Sequence, residues 1–202
     1  MTCRDYPLFP LSQLLLPGQR MGLQIFEPRY LTMITAQLKR DQGFGVVQIR
    51  EGSEVGQAPL IYPVGTEAAI VDWSQKPGGL LIIQIEGRRR FRVQQSEVQA
   101  DQLLLASVEW LLDEDKGDVF DSTATDFTVE YDGLLQLLDQ LREHPAVAQL
   151  NLAAADNASQ LGWQLSQLLP LSMPDKMALW QEQNPYVRLE QLAERVARLA
   201  SE

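Results

Sequence analysis
The chain has 202 residues, with 17 Lys and Arg against 27 Asp and Glu, one cysteine and one histidine. Its length suits one large domain or two small ones, and 45% hydrophobic with 22% charged residues is a globular composition rather than a disordered one. One cysteine excludes an internal disulfide and Cys-rich zinc modules, one histidine excludes two-His metal motifs, and a net charge of −10 argues against general binding to nucleic acid or anionic membranes.

The N-terminus does not read as a signal peptide. Asp5 sits where a basic region belongs, and Pro10, Gln13 and Pro17 interrupt the apolar stretch. No apolar run approaches the length of a membrane span, so the expected compartment is the cytoplasm. Short apolar runs separated by Gly and Pro then predict strands at Tyr6–Leu11, Met21–Phe26, Phe44–Arg50, Gly65–Asp72, Leu80–Glu86, Arg88–Gln95 and Leu103–Trp110. Lys76-Pro77-Gly78-Gly79 is a turn signal between two of them. One helix interrupts the series. Pro28 suits its first turn, and Leu31, Ile34 and Leu38 line one face.

Residues 1–110 carry 11 basic and 11 acidic side chains, whereas residues 111–202 carry 6 and 16. The densest acidic stretch, Asp113 to Asp132, holds Lys116 as its one cation and reads as a solvated linker. A calcium loop starting at Asp113 fails, because Gly117, Asp118 and Ala124 stand at the fifth, sixth and twelfth positions. Beyond it the spacing turns helical. Leu134, Leu137, Leu138 and Leu141 form a stripe ending near His144-Pro145. Asn157-x-x-Gln160 and Ser172-x-x-Asp175 open two further helices, and Asn184-Pro185 precedes a fourth with Leu189, Leu192, Val196 and Leu199 on one face. Strands followed by helices predict an α+β chain with segregated parts. The expected division is a β domain over 1–112, an acidic linker over 113–126 and an α-helical domain over 127–202.

Motifs for chemistry are missing. There is no Gly-Lys dipeptide, hence no phosphate loop, and no G-x-S-x-G elbow. Cys3 lies among the first residues, where order is least, and His144 lies between two helices, so neither predicts a nucleophile–base pair. Ser172 and Lys176, at i and i+4, read as a helix cap and an exposed side chain. No catalytic residue, metal site or cofactor is expected.

The run Gly87-Arg88-Arg89-Arg90-Phe91-Arg92-Val93 carries the densest positive charge. In a regular strand Arg88, Arg90 and Arg92 face one way, and Arg89, Phe91 and Val93 the other. That stripe suits phosphate contact, with Phe91 stacking on a base. It equally suits pairing with carboxylates on neighbouring strands, for which Glu86 and Glu27 are candidates. Net neutrality of residues 1–110 favours the second reading.

Leu8-Phe9-Pro10-Leu11, Leu14-Leu15-Leu16-Pro17-Gly18 and Leu23-Gln24-Ile25-Phe26-Glu27-Pro28-Arg29-Tyr30-Leu31 stand in order. Phe44-Gly45-Val46-Val47, Glu51-Gly52, Val64-Gly65-Thr66 and Gly87-x-x-Arg90-Phe91 follow. In order and spacing, residues 6–110 resemble the N-terminal domain of Lon proteases. Leu168-Leu169-Pro170-Leu171, Lys176 and Arg188-Leu189 resemble, more weakly, the helical segment that follows it. The resemblance implies a PUA-like β pseudo-barrel with one inserted helix, followed by a C-terminal α-helical bundle. It implies a stand-alone substrate-recognition module lacking the ATPase and protease domains of full Lon proteases.

Its signature residues Phe26, Glu27, Pro28, Arg29, Tyr30, Gly45, Gly65, Gly87 and Phe91 are expected to be structural. Gly45 and Gly65 would permit close backbone approach or unusual dihedrals, Glu27 would sit at the helix N-cap, and Glu27 or Arg29 would pair with Arg90. The expected function is non-enzymatic binding of unfolded or peptide segments of client proteins, with a protease or chaperone as a further partner. A PUA-like nucleic-acid or nucleotide binder is the alternative. Trp73, Trp110, Trp163 and Trp180 are candidates to line an apolar groove, Trp73 and Trp110 being the choices alongside Arg88, Arg90 and Arg92.

Overall fold
The computed structural model describes residues 2–77, 80–111, 130–148, 152 and 154–200. It divides into two units, residues 1–112 and 113–202. The acidic run 113–126 and the glycines of the 76–79 turn lie outside the described residues.

The first unit holds β1 (Thr2–Leu11), β2 (Arg20–Ile25), α1 (Pro28–Arg40), β3 (Phe44–Glu51), β4 (Leu60–Gln75), β5 (Leu81–Val98) and β6 (Leu104–Trp110). The sheet order is β2-β5-β4-β3-β1-β6, and β5 also pairs with β6. Five strands therefore close a ring, β1-β3-β4-β5-β6, with β2 outside it. The pair β1–β3 is parallel; the other pairs are antiparallel.

Apolar side chains on both faces explain the unbroken hydrophobic runs of β1 and β3. Leu8 and Val47 point into the ring with Phe91, Leu104 and Val108. Phe9, Phe44 and Val46 point the other way, into a second core with Tyr30, Met33 and Ile34 of α1 and Ile83 and Ile85 of β5. The buried face of α1 thus centres on Tyr30, Met33, Ile34 and Gln37, with the expected Leu31 and Leu38 on its flanks.

The ring interior is organised around Phe91. A Cβ at Gly45 would lie 2.6 Å from the Phe91 ring and 2.6 Å from a Leu8 methyl; one at Gly65 would lie 2.6 Å from the ring and 2.5 Å from the Val46 carbonyl oxygen. Neither glycine has a positive φ, so close approach, not unusual dihedrals, is their purpose.

Two sequence expectations fail here. The strands expected on either side of Gly87 are one strand, β5, and Gly87 is no turn. Its N–H donates to the Gln19 carbonyl and its carbonyl accepts from the Gly18 N–H, both at 2.9 Å. A Cβ there would meet the Leu16 carbonyl oxygen at 2.1 Å. The loop before β2 lies directly on β5, and only glycine leaves room for it. The chain also pairs from Thr2: Cys3 lies opposite Val108 on β6, so the first residues are ordered by strand pairing.

The second unit holds α2 (Asp132–Glu143), the single turn α3 (Pro145–Ala148), α4 (Ala158–Leu168), α5 (Met173–Gln181) and α6 (Pro185–Leu199). The caps are those the sequence predicts. Asn157 accepts from the Gln160 N–H at 2.9 Å, Ser172 from the Asp175 N–H at 3.2 Å, and Asn184 from the Tyr186 N–H at 3.0 Å. Leu138, Leu161, Leu165, Leu189 and Leu192 form the core, while Leu199 at the end of α6 is exposed. Arg188 is fully buried. Its guanidinium lies 3.5 Å from the Trp163 ring centroid and donates to the Leu179 and Glu182 carbonyls at the end of α5. No described helix is long and apolar enough to cross a membrane.

Gly45→Ala is expected to cost about 1–3 kcal/mol of unfolding free energy by overpacking. Because side chains alone crowd that position, Phe91→Leu should relieve part of the cost, giving non-additive urea midpoints. Gly65→Ala should not be relieved, because the Val46 carbonyl is backbone.

Candidate functional site
The helix signature builds a clamp. Pro28 opens α1 with Glu27 at its N-cap, and the Glu27 carbonyl accepts from the Tyr30 and Leu31 N–H groups. The Glu27 carboxylate does not cap the helix. It pairs with buried Arg29 at 3.0 Å and accepts from the Gly56 N–H at 3.4 Å. Arg29 donates to the Gln102 carbonyl at 2.8 Å, and the Gln102 side chain accepts from the Ala58 N–H at 3.3 Å. Two residues thus fasten the start of α1 to the β3–β4 loop and the β5–β6 turn. Glu27 directs its ion pair to Arg29, not to Arg90 as expected; Arg90 is buried in β5, 3% exposed.

The arginines do not share one face. Thr66 opposes Arg90 while Ala68 opposes Gly87, so three steps along β5 match two along β4. This bulge breaks the period of two. Arg88 pairs with Glu86 at 3.0 Å, which Arg20 of β2 also reaches at 3.0 Å. Arg89 turns to Glu67 at 2.9 Å, and Arg92 lies half-buried between Val64 and Glu109. Glu86 is the expected carboxylate partner; the stripe of Arg88, Arg90 and Arg92 does not exist.

Arg89, which periodicity groups with Phe91 rather than with the other arginines, contributes to a cleft of about 900 Å³ in the first unit. One wall is Trp110, with the Arg89 guanidinium 3.6 Å from its ring centroid and Tyr6 edge-on at 5.4 Å. Thr32, Ala36 and Arg40 of α1 also line it. The charges lining it balance: Arg4, Arg29, Arg40 and Arg89 against Asp5, Asp41, Glu67 and Asp101. The Gln37 side-chain carbonyl, on a lining residue, is sealed from water without a hydrogen-bond partner, and the Tyr6 hydroxyl is sealed from water beside the Glu67 carboxylate. Burial, and then the nearby Glu67 carboxylate, push the Tyr6 phenol far above its usual range, so it stays protonated. Burial also pushes Tyr30 up to about 12.

The four tryptophans divide. Trp163 and Trp180 are core residues of the second unit, packed edge-on at 5.1 Å. Trp73 is 56% exposed on β4, and Trp110 lines the cleft. Phe26 is 59% exposed, so its place in the signature is not a core place. Residues considered for chemistry are occupied otherwise. The Ser172 hydroxyl donates to the Asp175 carboxylate at 2.6 Å rather than to Lys176, which is half-buried rather than exposed. The Cys3 thiol contacts the carbonyl of Arg4. No group of three His, Cys, Asp or Glu side chains among the described residues is placed to hold a metal ion.

Along residues 5–198 the chain matches the family described as the ATP-dependent protease La (LON) substrate-binding domain, and it belongs to that family. A solved Lon N-terminal domain protein from Xanthomonas campestris is 34% identical and superimposes with a TM-score of 0.73, covering 96% of this chain and 98% of that one. The N-terminal domain of a Mycobacterium avium complex Lon protease shares the fold, with a TM-score of 0.60 at 18% identity over 96% of this chain and 97% of that one. Cereblon from Xenopus tropicalis is 29% identical over 114 residues, 54% of this chain and 24% of cereblon. The Lon protease of Cytophaga hutchinsonii is 30% identical over 109 residues, 53% of this chain and 13% of the protease. The chain therefore matches a quarter or less of the length of these two curated relatives.

The buried phenols set an alkaline limit. Below about pH 10 they are neutral in both folded and unfolded chains, and stability is unaffected. Above it the unfolded chain ionises while the fold still holds Tyr6 and Tyr30 neutral, so stability falls with rising pH. Urea midpoints should therefore drop above pH 10, and drop less in Tyr6→Phe and Tyr30→Phe variants.

Proposed function
We propose that this chain binds extended or unfolded segments of other proteins and carries out no chemistry of its own. One observation carries the reading most: a cleft of about 900 Å³ with an aromatic wall, Trp110, and a few charged anchors of balanced sign. Its size lies at the upper end of the range for ligand sites, and its mixed lining suits peptide rather than polyanion. Membership of a substrate-binding family supports the same reading. The client would be a cytoplasmic protein, and a protease or chaperone would receive it. The absence of a phosphate loop and of a serine elbow in the sequence argues for binding alone. Dispersal of the arginines at the β5 bulge weighs against a phosphate-contacting sheet.

The test is a titration with a reduced, unfolded protein, single-stranded RNA and duplex DNA at two salt concentrations. Unfolded protein should bind with modest salt dependence, because apolar burial supplies most of the affinity. RNA and DNA should bind no tighter than about 10⁻⁵ M near physiological salt. Trp110→Ala should weaken client binding by about tenfold or more, as loss of an aromatic anchor does. Arg89→Gln, a change at an exposed position, should weaken it less. Tight, salt-sensitive binding to nucleic acid without affinity for the unfolded protein would overturn the proposal, as would turnover of ATP or casein lost on mutation of this chain.

A further inference from the structure
β2 is the end strand of the sheet order. β2 pairs with β5 on one side, and among the described residues no backbone hydrogen bond joins residues 20–25 to anything on the other. Exposed edges are usually guarded by proline, lysine, a bulge or an inward charge. β2, Arg20-Met21-Gly22-Leu23-Gln24-Ile25, has none of these. Its register with β5 is unbroken from Arg20 opposite Glu86 to Ile25 opposite Leu81. Its one charge, at the first position, is held to Glu86 at 3.0 Å.

Apolar surface accompanies the edge. Met21 and Leu23 are partly buried, packed against the core but not covered by it. The strand runs into Phe26, 59% exposed. The next residue, Glu27, accepts from the Gly56 N–H, which brings the loop carrying Val55, 54% exposed, to the same end.

We propose that β2 receives an extended segment of a client protein as an added strand. Main-chain pairing would supply affinity without regard to sequence. Side chains at alternate positions of the added strand would extend the core beyond Met21 and Leu23, and so should be apolar. An apolar residue at one end would cover Phe26 and Val55. A second copy of this chain is the weaker occupant, because each copy carries a net charge of −10. None of residues 20–26 lines the cleft, so this is a second site beyond the one just described.

The test uses the full chain and a synthetic peptide of about ten residues with valine at alternate positions, with and without N-methylation of alternate backbone amides. On binding, amides of residues 20–25 should exchange about tenfold more slowly or better, and N-methylation should weaken binding by about tenfold. Leu23→Lys places an inward charge on the edge and should abolish binding. If that variant does not fold, Phe26→Asp, at an exposed position, should still weaken binding about tenfold with an unchanged urea midpoint. Equal binding of the N-methylated peptide would overturn the proposal. So would protection confined to the cleft, no binding at millimolar peptide, or protection of residues 20–25 that rises with protein concentration alone. Loss of client binding in Trp110→Ala, with exchange at residues 20–25 unmoved by client, would leave the cleft reading standing and remove this one.

Discussion
The Phe91 ring lies against two strands that have no side chains where it touches them. A closed ring of five strands has an interior only wide enough for side chains to fill, so a large aromatic from β5 must be matched by empty positions. Gly45 on β3 and Gly65 on β4 are those positions, and Leu8 on β1 closes the seat. The contact therefore joins four strands of the ring at once. It also aims the site. Tyr6 and Trp110 pack edge-on to Phe91 at 5.6 and 5.9 Å, so the aromatic wall of the cleft is the outer margin of the barrel core. Residues that look like a binding surface are held by a packing constraint set inside the same barrel core.

Closure of the ring has a second consequence. β5 keeps β4 along one edge, but its other edge changes partner. Its first half pairs with β2 and its second half with β6, the exchange falling at Gly87 where the loop before β2 lies on the strand. The second half closes the barrel. The first half is left to a short strand that no further described strand joins, so this open edge comes from the same turn of β5 that closes the barrel.

Much of this was legible. Apolar runs placed the strands, and Asn157, Ser172 and Asn184 announced their helices because a cap is a local hydrogen bond between residues two or three apart. The close-approach role of Gly45 and Gly65 was readable in outline. The failures at Gly87 and along Arg88–Arg92 involve pairing across long sequence distance. Gly87 resembled a break because the loop it accommodates is some 70 residues earlier in the chain. The alternation of Arg88 to Arg92 failed because a bulge depends on the partner strand. Glu27 and Arg29, either of which could have reached Arg90, hold each other, two residues apart. Arg188 gave no local sign of complete burial, since its role is to satisfy carbonyls at the end of another helix.

The fate of the arginines bears on what kind of binder such a domain can be. In the first unit Arg20 and Arg88 share Glu86, Arg29 holds Glu27, and Arg89 is divided between Glu67 and the face of Trp110. Two of the four arginines that the sequence concentrates in one strand, Arg88 and Arg89, are thus paired within the fold. What remains outward is an aromatic wall, exposed apolar side chains and unpaired backbone, none of which discriminates strongly by sequence. Charge pairing would demand a fixed pattern from a partner, whereas apolar contact and main-chain pairing demand little beyond an extended, partly apolar segment. Folded proteins bury such segments and unfolded ones expose them. A surface used as proposed would distinguish partners by conformation before it distinguished them by sequence.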